Sequence, residues 1–161
     1  MTTLTTFYLS RLIGKEAFDT DGEAVGIIKD LLISAVPGVL SDSSSQLVLG
    51  IKLRTGRLTK FYSFSSFRVV KAREKLNVTC SNLVEISGDD VNNGLLLVEN
   101  ILDKQIVDLN GRKLVRVNDV RLLTLATGTF AIAVDIGIEG LLRRIGISQP
   151  MKKVLSIFNI S

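Results

Sequence analysis

The sequence predicts a mainly β protein built from two tandem, small antiparallel β-barrels, with short helices at the linker and near the C-terminus. Two observations predict this fold class. The segment FDTDGEAVGIIKD, Phe18 to Asp30, recurs in a looser form as VDLNGRKLVRVND, Val107 to Asp119. A block in which large apolar residues alternate with small or polar ones also occurs twice, and such alternation is typical of strands. We therefore assign a first repeat to 9–86, a linker to 87–100 and a shorter second repeat to 101–161.

The first repeated segment matches its counterpart when the chain is shifted by 89 residues, the separation of Asp19 from Asp108. Identical residues then coincide at four positions, and conservative pairs fill the gaps. The identical pairs are Lys15 with Lys104, Asp19 with Asp108, Gly22 with Gly111 and Asp30 with Asp119. A self-match of this kind predicts that each copy is one supersecondary unit.

Each copy is predicted to begin with a short extended segment, a tight turn and a long strand. The turn is Asp-x-Asp-Gly in one copy and Asp-x-Asn-Gly in the other, and tight turns favour these residues. A change in the phase of the apolar positions near Asn118-Asp119 predicts a bulge or bend, which would let a small sheet curl closed. The extended segments are Lys15–Phe18 and Lys104–Val107, and the long strands are Ala24–Val36 and Lys113–Leu125.

The alternating block predicts one more strand in each copy. LVLGIKL places Leu47, Leu49, Ile51 and Leu53 on one face, and FAIAVDI places Phe130, Ile132, Val134 and Ile136 on one face. The first copy has extra residues before this strand, in the polar loop PGVLSDSSSQ, where insertions are tolerated. Further strands are predicted at Leu58–Phe61, Leu76–Cys80 and Leu83–Ile86.

Two short helices complete the prediction. One lies within SGDDVNNGLLLVENIL, between the copies. The other precedes Gly146, because apolar residues recur there at helical spacing, at Ile138, Leu141, Leu142 and Ile145.

The apolar run from Leu122 to Ile138 is not predicted to span a membrane. Asp135 interrupts this run, and a charge inside a span costs about 3 kcal/mol on insertion scales. The corresponding place in the first copy contains Pro37 and a serine-rich loop, which no bilayer core would accept.

The composition limits the chemistry that the chain can perform. It contains no histidine, which removes the commonest general base, the Ser-His and Cys-His nucleophiles and most zinc and iron sites. The single cysteine, Cys80, cannot form an intrachain disulfide and is predicted to be an inert thiol. The net charge of +4 comes from scattered Lys and Arg residues, which permits an acidic partner without demanding one. With no signal-like N-terminus, these features favour a cytoplasmic location.

Two groups of acidic residues are candidates for function. Asp19, Asp21 and Glu23 crowd one turn and could hold Mg²⁺ through carboxylates and waters, although Asp also builds such turns for structural reasons. Asp30 and Asp119 occupy equivalent strand positions, where a bond to a neighbouring backbone at the bend is the simpler interpretation.

Four cationic residues form a third candidate group, for contact with a partner or with phosphate. Arg143 and Arg144 are adjacent, as are Lys152 and Lys153. The alternative is that they are solvated, with the arginines closing the predicted helix, where the dipole favours positive charge. No glycine-rich phosphate loop accompanies them, because neither DTDG nor DLNG fits such a pattern.

The segments LIGKEAFDTDGEAVGIIKDLLI and ILDKQIVDLNGRKLVRVNDVRL both resemble the opening of a PRC-barrel domain. This small β-barrel module is found in the cytoplasmic part of a photosynthetic reaction centre subunit and in a ribosome maturation factor. The second copy, ENILDKQIVDLNGRKLVRVNDVRL followed by VDIGIEGLLRRIG, is similar to the N-terminal extension of some bacterial MgtE-type magnesium transporters.

The resemblance implies a non-catalytic regulatory or assembly module, with no catalytic residues to carry over. We expect its partners to be other domains or subunits of a bacterial magnesium transporter, placed on the cytosolic side of the inner membrane. No cofactor is implied apart from Mg²⁺, and the apolar tail MKKVLSIFNI makes a homodimer plausible. Two rival functions stay open: an RNA- or ribosome-associated adaptor, and a hydrolase or transferase that uses carboxylates.

Overall fold

The computed structural model describes residues 5–35, 46–108, 113–138 and 141–144, and strands account for most of them. In the first part of the chain the strands are β1 (Thr5–Tyr8), β2 (Glu16–Phe18), β3 (Ala24–Ser34), β4 (Gln46–Thr55), β5 (Leu58–Ser63), β6 (Phe67–Ala72) and β7 (Lys75–Cys80). The later strands are β8 (Gly94–Leu96), β9 (Gln105–Asp108), β10 (Lys113–Leu125), β11 (Gly128–Ile138) and β12 (Leu141–Arg144). The prediction of a mainly β protein is confirmed.

Helical segments within the described residues are all short. Helix α1 (Leu9–Leu12) follows β1 directly, and a 3-10 turn (Phe64–Ser66) separates β5 from β6. Helix α2 (Gly88–Asn92) and a π-helical turn (Leu97–Ile101) lie on either side of β8, so the helix expected between the two copies is confirmed. The Ser87 hydroxyl accepts a hydrogen bond from the Asp90 N–H, which caps the first turn of α2.

The strands form one continuous, nearly closed sheet. Its order is β1-β10-β11-β4-β3-β2-β7-β6, with β12 on β11, β5 on β4, β8 on β3 and β9 on β10. The pairs are antiparallel except for β2 and β7, which run parallel. The prediction of a purely antiparallel sheet is therefore wrong for the pair β2–β7. The long path through β3 to β6 gives the chain room to return beside β2 in the same direction.

The main core draws on both halves of the chain. The first half is here the part up to residue 86, and the second half is the part from residue 87 onward. Its buried side chains include Leu31 and Ile51 from the first half and Val120 and Val134 from the second. A separate small cluster contains Phe130, Ile132 and Ala133. Because one core and one sheet span both halves, the structure does not show two separate barrels, and the boundaries 9–86, 87–100 and 101–161 stay predictions.

Equivalent backbone hydrogen bonds nevertheless occur in the two halves, 89 residues apart. In the first half Gly14 N–H donates to Ile28 C=O at 2.8 Å, and Ile28 N–H donates to Lys15 C=O at 2.9 Å. The corresponding bonds of the second half run from Asp103 to Val117 at 2.8 Å and from Val117 to Lys104 at 3.1 Å. Each bond set joins the segment before a hairpin to the long strand that follows it.

The two halves also exchange their edge strands. Strand β1 of the first half pairs with β10 of the second, and β8, at the start of the second half, pairs with β3 of the first. Between them, β4 and β11 pair through Leu47 and Phe130, which are the equivalent first residues of the two alternating blocks. The halves are thus intertwined rather than placed side by side.

β-Bulges account for the outcome of two predictions about the strands, one confirmed and one wrong. The bulge expected near Asp119 is confirmed by a register shift between Val117 and Asp119, and a matching shift lies between Ile28 and Asp30. A second shift leaves Leu49 without a counterpart between the pairs Leu32–Gly50 and Ile33–Val48. The side chain of Leu49 is exposed as a result, which corrects its predicted place on the apolar face.

The second alternating block contains the same irregularity. A register shift in β10–β11 leaves Ile132 without a counterpart between Ala131 and Ala133. Residues 130–134 are all buried, and Ala131 and Val134 join the main core while Phe130 and Ile132 join the small cluster. The prediction of one apolar and one polar face is therefore wrong here, since both faces of β11 are covered.

The predicted helix near the C-terminus is wrong within the described residues. Leu141–Arg144 form β12, which pairs with Asp135–Ile138 of β11. A helix this short would be costly to nucleate, whereas an adjacent strand edge offers backbone partners at once. The rest of that prediction, from Ile145 to Gly146, lies outside the described residues.

Several local predictions can be compared directly with the structure. Lys113–Leu125 is confirmed as one strand, and Leu122–Ile138 lies in the β10–β11 hairpin rather than in a helix. Leu83–Ile86 forms only an isolated bridge, between Glu85 and Tyr62. Strands β1, β6 and β8 and helix α1 were not predicted.

Among the described residues, no helix has both the length and the apolar character needed to cross a membrane.

Gly26 provides a test of the β3–β4 packing. A Cβ atom placed there would lie 2.7 Å from the carbonyl oxygen of Arg54 and 2.9 Å from Cγ of Leu53, whereas one at Gly88 would meet nothing within 4 Å. We expect Gly26→Ala to lower the free energy of unfolding by about 2 kcal/mol, because the backbone of β4 must shift. The control Gly88→Ala should change it by less than about 1 kcal/mol. Urea denaturation measures both, and equal effects would contradict the packing.

Candidate functional site

The acidic turn between β2 and β3 is held by its own first residue. One carboxylate oxygen of Asp19 accepts hydrogen bonds from the N–H groups of Asp21 and Glu23, both at 2.9 Å. Gly22 adopts a φ of +80°, which the turn requires. The structural interpretation of Asp19 is confirmed, while Asp21 and Glu23 are exposed. No cluster of three or more His, Cys, Asp or Glu side chains suited to a metal occurs in the described part of the chain, and Mg²⁺ binding stays a prediction.

Asp30 lies in the interior and joins the two halves of the chain. Its side chain is 2% exposed, and Oδ1 accepts hydrogen bonds from the N–H groups of Leu31 at 2.8 Å and Val98 at 2.7 Å. Oδ2 accepts a third from Glu99 N–H at 3.0 Å. The donors Val98 and Glu99 lie in the π-helical turn of the second half, so this carboxylate fixes that turn against β3.

Asp119 makes the reciprocal contact. Its Oδ1 accepts hydrogen bonds from the N–H groups of Val120 at 2.8 Å and Ser10 at 3.1 Å, and its Oδ2 accepts one from the Ser10 hydroxyl. Ser10 belongs to α1 of the first half and stands 89 residues before Glu99. We call Asp30 and Asp119, with the backbone groups that they bind, the carboxylate clamps. The expected bond from each aspartate to a neighbouring backbone is confirmed.

The environments of Asp30 and Cys80 disfavour their charged forms. Burial raises the pKa of Asp30 above its ordinary value of 3.8, and the hydrogen bonds from Val98, Glu99 and Leu31 offset part of this rise. Burial, and secondarily the charge of Asp19, raises the pKa of the Cys80 thiol. The thiolate is the nucleophilic form of cysteine, so Cys80 is poorly suited to act as a nucleophile.

A cleft opens where the two ends of the sheet approach each other without pairing. Its volume is about 260 Å³. The cleft lies between β1 on one side and β6 and β7 on the other, with α1 and β10 contributing to its wall. The lining residues are Thr6, Phe7, Tyr8, Arg11, Lys71, Glu74, Leu76 and Arg121. We call it the seam cleft.

The four cationic residues singled out from sequence are only partly described. Arg143 and Arg144 lie in β12, opposite Ile136 and Asp135 of β11, so they end a strand rather than a helix. Lys152 and Lys153 lie outside the described residues. The prediction that these four contact a partner or phosphate is untested.

Sequence reasoning missed the seam cleft altogether. Its cationic residues, Arg11, Lys71 and Arg121, are isolated in the sequence and come from three separate elements. No spacing or motif links them, because the pairing of β1 with β10 and the approach of β6 to β1 bring them together.

Residues 4–75 match the family model of the PRC-barrel domain, and this part of the chain is therefore a PRC-barrel domain. The match covers β1 to β6 and ends at the first residue of β7. No curated protein shows a significant similarity to the chain.

The clamps predict a difference between the two equivalent aspartates. We expect Asp30→Ala to lower the free energy of unfolding by about 3 kcal/mol, because it leaves buried N–H groups without an acceptor. Asp119→Ala should cost about 1 kcal/mol, since Asp119 is half-buried and water can replace it. Chemical denaturation of both variants checks the order, and an equal or reversed cost would contradict it.

The raised pKa of Asp30 predicts a pH-dependent contribution to stability. A carboxyl group that binds its proton more tightly when folded contributes fully below its unfolded pKa, and the contribution is lost as the pH rises through the folded pKa. The free energy of unfolding of the wild type minus that of Asp30→Asn should therefore fall as the pH rises from about 4 to about 7. Urea denaturation across this range measures it, and a difference that rises with pH would show the opposite shift.

Proposed function

We propose that the chain is a non-catalytic assembly module that binds other protein domains, and that its two halves are copies of one PRC-barrel-like unit. The carboxylate clamps are the observation that carries the proposal. Asp30 and Asp119, which share one strand position, accept backbone hydrogen bonds from the opposite half of the chain. Both carboxylates therefore hold the two halves of the chain together instead of taking part in chemistry.

Support for two copies comes from equivalence in three dimensions. The clamps, the hairpin hydrogen bonds and the exchanged edge strands all recur about 89 residues apart. Equivalent bulges at Leu49 and Ile132 add an irregularity that chance would rarely duplicate. A duplicated module that is already paired with itself presents a large and rigid surface to partners.

The partner that we propose is the cytosolic part of a bacterial divalent-cation transporter. The proposal rests on the resemblance of two segments, Glu99 to Leu122 and Val134 to Gly146, to the extensions of magnesium transporters, and on the PRC-barrel domain at residues 4–75. Exposed apolar side chains suited to a protein contact are present at Leu58, Val70 and Val84, the first of them 67% exposed.

A ribosome-associated adaptor is the alternative, and the cations of the seam cleft are the observation in its favour. Against it, neither aromatic residue that lines the cleft is well placed to stack on bases, because Phe7 is buried and Tyr8 is already covered on one face by Arg121. The net charge of +4 would serve either function.

A magnesium titration separates the two functions. On the transporter proposal, millimolar Mg²⁺ should raise the melting temperature of the wild type, and the double variant D21N/E23Q should lose this response. The control Asp89→Asn removes an exposed carboxylate elsewhere and should keep it. A flat response to Mg²⁺, together with saturable and salt-sensitive binding to ribosomes, would reject the transporter in favour of the adaptor.

A further inference from the structure

The seam cleft marks the place where the sheet stops short of closure. Strands β1 and β6 stand at opposite ends of the strand order, and neither pairs with the other. Lys71 Nζ of β6 lies 3.4 Å from the carbonyl oxygen of Thr6 in β1, so a side chain rather than a strand ladder bridges the gap. The gap therefore leaves room for a ligand within an otherwise continuous sheet.

The lining of the seam cleft carries an excess of positive charge. Arg11, Lys71 and Arg121 face the same space, and Glu74 is the carboxylate among the lining residues. No ion pair between Glu74 and these cations is found in the part of the chain that the structure describes; the ion pair recorded there joins Lys60 to Glu85. Cations that share a confined space repel one another, so an anion is favoured there.

Arg121 is held at the cleft by a cation–π contact with Tyr8. Its guanidinium lies over the ring of Tyr8, 5.4 Å from the ring centroid, and the two residues face each other across the β1–β10 pair. A guanidinium in a cation–π contact keeps its N–H groups as donors that match carboxylate or phosphate oxygens. Tyr8 thus acts as a positioning residue for Arg121.

The fold itself does not require these charges. The positions 89 residues away from Tyr8, Arg11 and Arg121, in the other half, hold Leu97, Asn100 and Leu32. Both leucines are fully buried in the same framework of strands. The cationic lining is therefore a property of one side of the molecule, as expected for a binding site rather than for a structural element.

We propose that the seam cleft binds the phosphate group of a small phosphorylated molecule. A phosphate monoester carries nearly two negative charges at neutral pH, which matches the excess of two positive charges in the lining. Arg and Lys donors form charge-assisted hydrogen bonds with its oxygens. A volume of about 260 Å³ suits a small ligand rather than a polymer.

The test is a titration of the full chain with inorganic phosphate, phenyl phosphate and benzoate. Calorimetry measures the binding, and backbone NMR shifts locate it. We expect saturable binding of both phosphates, weaker binding of the monoanion benzoate, and shifts centred on Tyr8, Arg11 and Lys71. Binding of phenyl phosphate should weaken as the pH falls through about 6, where the dianion of a phosphate monoester takes up a proton.

Three variants decide whether the seam cleft is responsible. Arg121→Gln and Lys71→Gln should each weaken phenyl phosphate binding about tenfold, the loss expected for one charge-assisted bond. Lys71 is exposed on an end strand, so its variant remains informative if Arg121→Gln is poorly folded. The matched control Arg68→Gln removes an exposed charge from the same strand, outside the cleft, and should change the affinity by less than about twofold.

Three outcomes would overturn the proposal. The first is the absence of saturable phosphate binding. The second is an equal loss of affinity in Arg68→Gln, which would show general attraction to a basic protein. The third is displacement of phenyl phosphate by a short RNA that binds much more tightly, which would assign the cations to a nucleic-acid surface.

Discussion

A buried carboxylate that its own strand satisfies only in part governs the architecture. Asp30 lies inside the core, where a polar group without hydrogen-bond partners costs several kcal/mol. Two of its three backbone donors, Val98 and Glu99, stand 68 and 69 residues further along the chain. The first half therefore reaches its stable form only when the start of the second half docks against β3, and this requirement ties folding of the two halves together.

The reciprocal clamp at Asp119 extends the same logic in the opposite direction. Helix α1 docks against β10 through Ser10, and β1 continues this contact as a strand pair. With each half supplying the other's edge strand, a division into separate cores would break both clamps at once. The single main core, which includes Leu31 and Val120, follows from this exchange.

A shared framework carries different chemistry on its two sides. The equivalent aspartates differ in burial, and residues that are leucine on one side are cationic or aromatic on the other. Equivalent backbone hydrogen bonds and bulges occur in both halves, since they set the geometry of the sheet. Surface lining residues such as Arg121 are free to differ, because the sheet does not depend on them.

By itself the sequence determined the mainly β class, the turn at Asp19, the long strand Lys113–Leu125 and the bulge near Asp119. All four follow from local causes, namely turn chemistry and side-chain alternation, which act over a few residues. Only the tertiary structure decided that the halves exchange strands, that Leu49 turns outward, and which cations meet in the seam cleft. These features depend on which distant segments pair. A periodic pattern does not identify the strand with which a given strand pairs, because many pairings bury the same apolar face equally well.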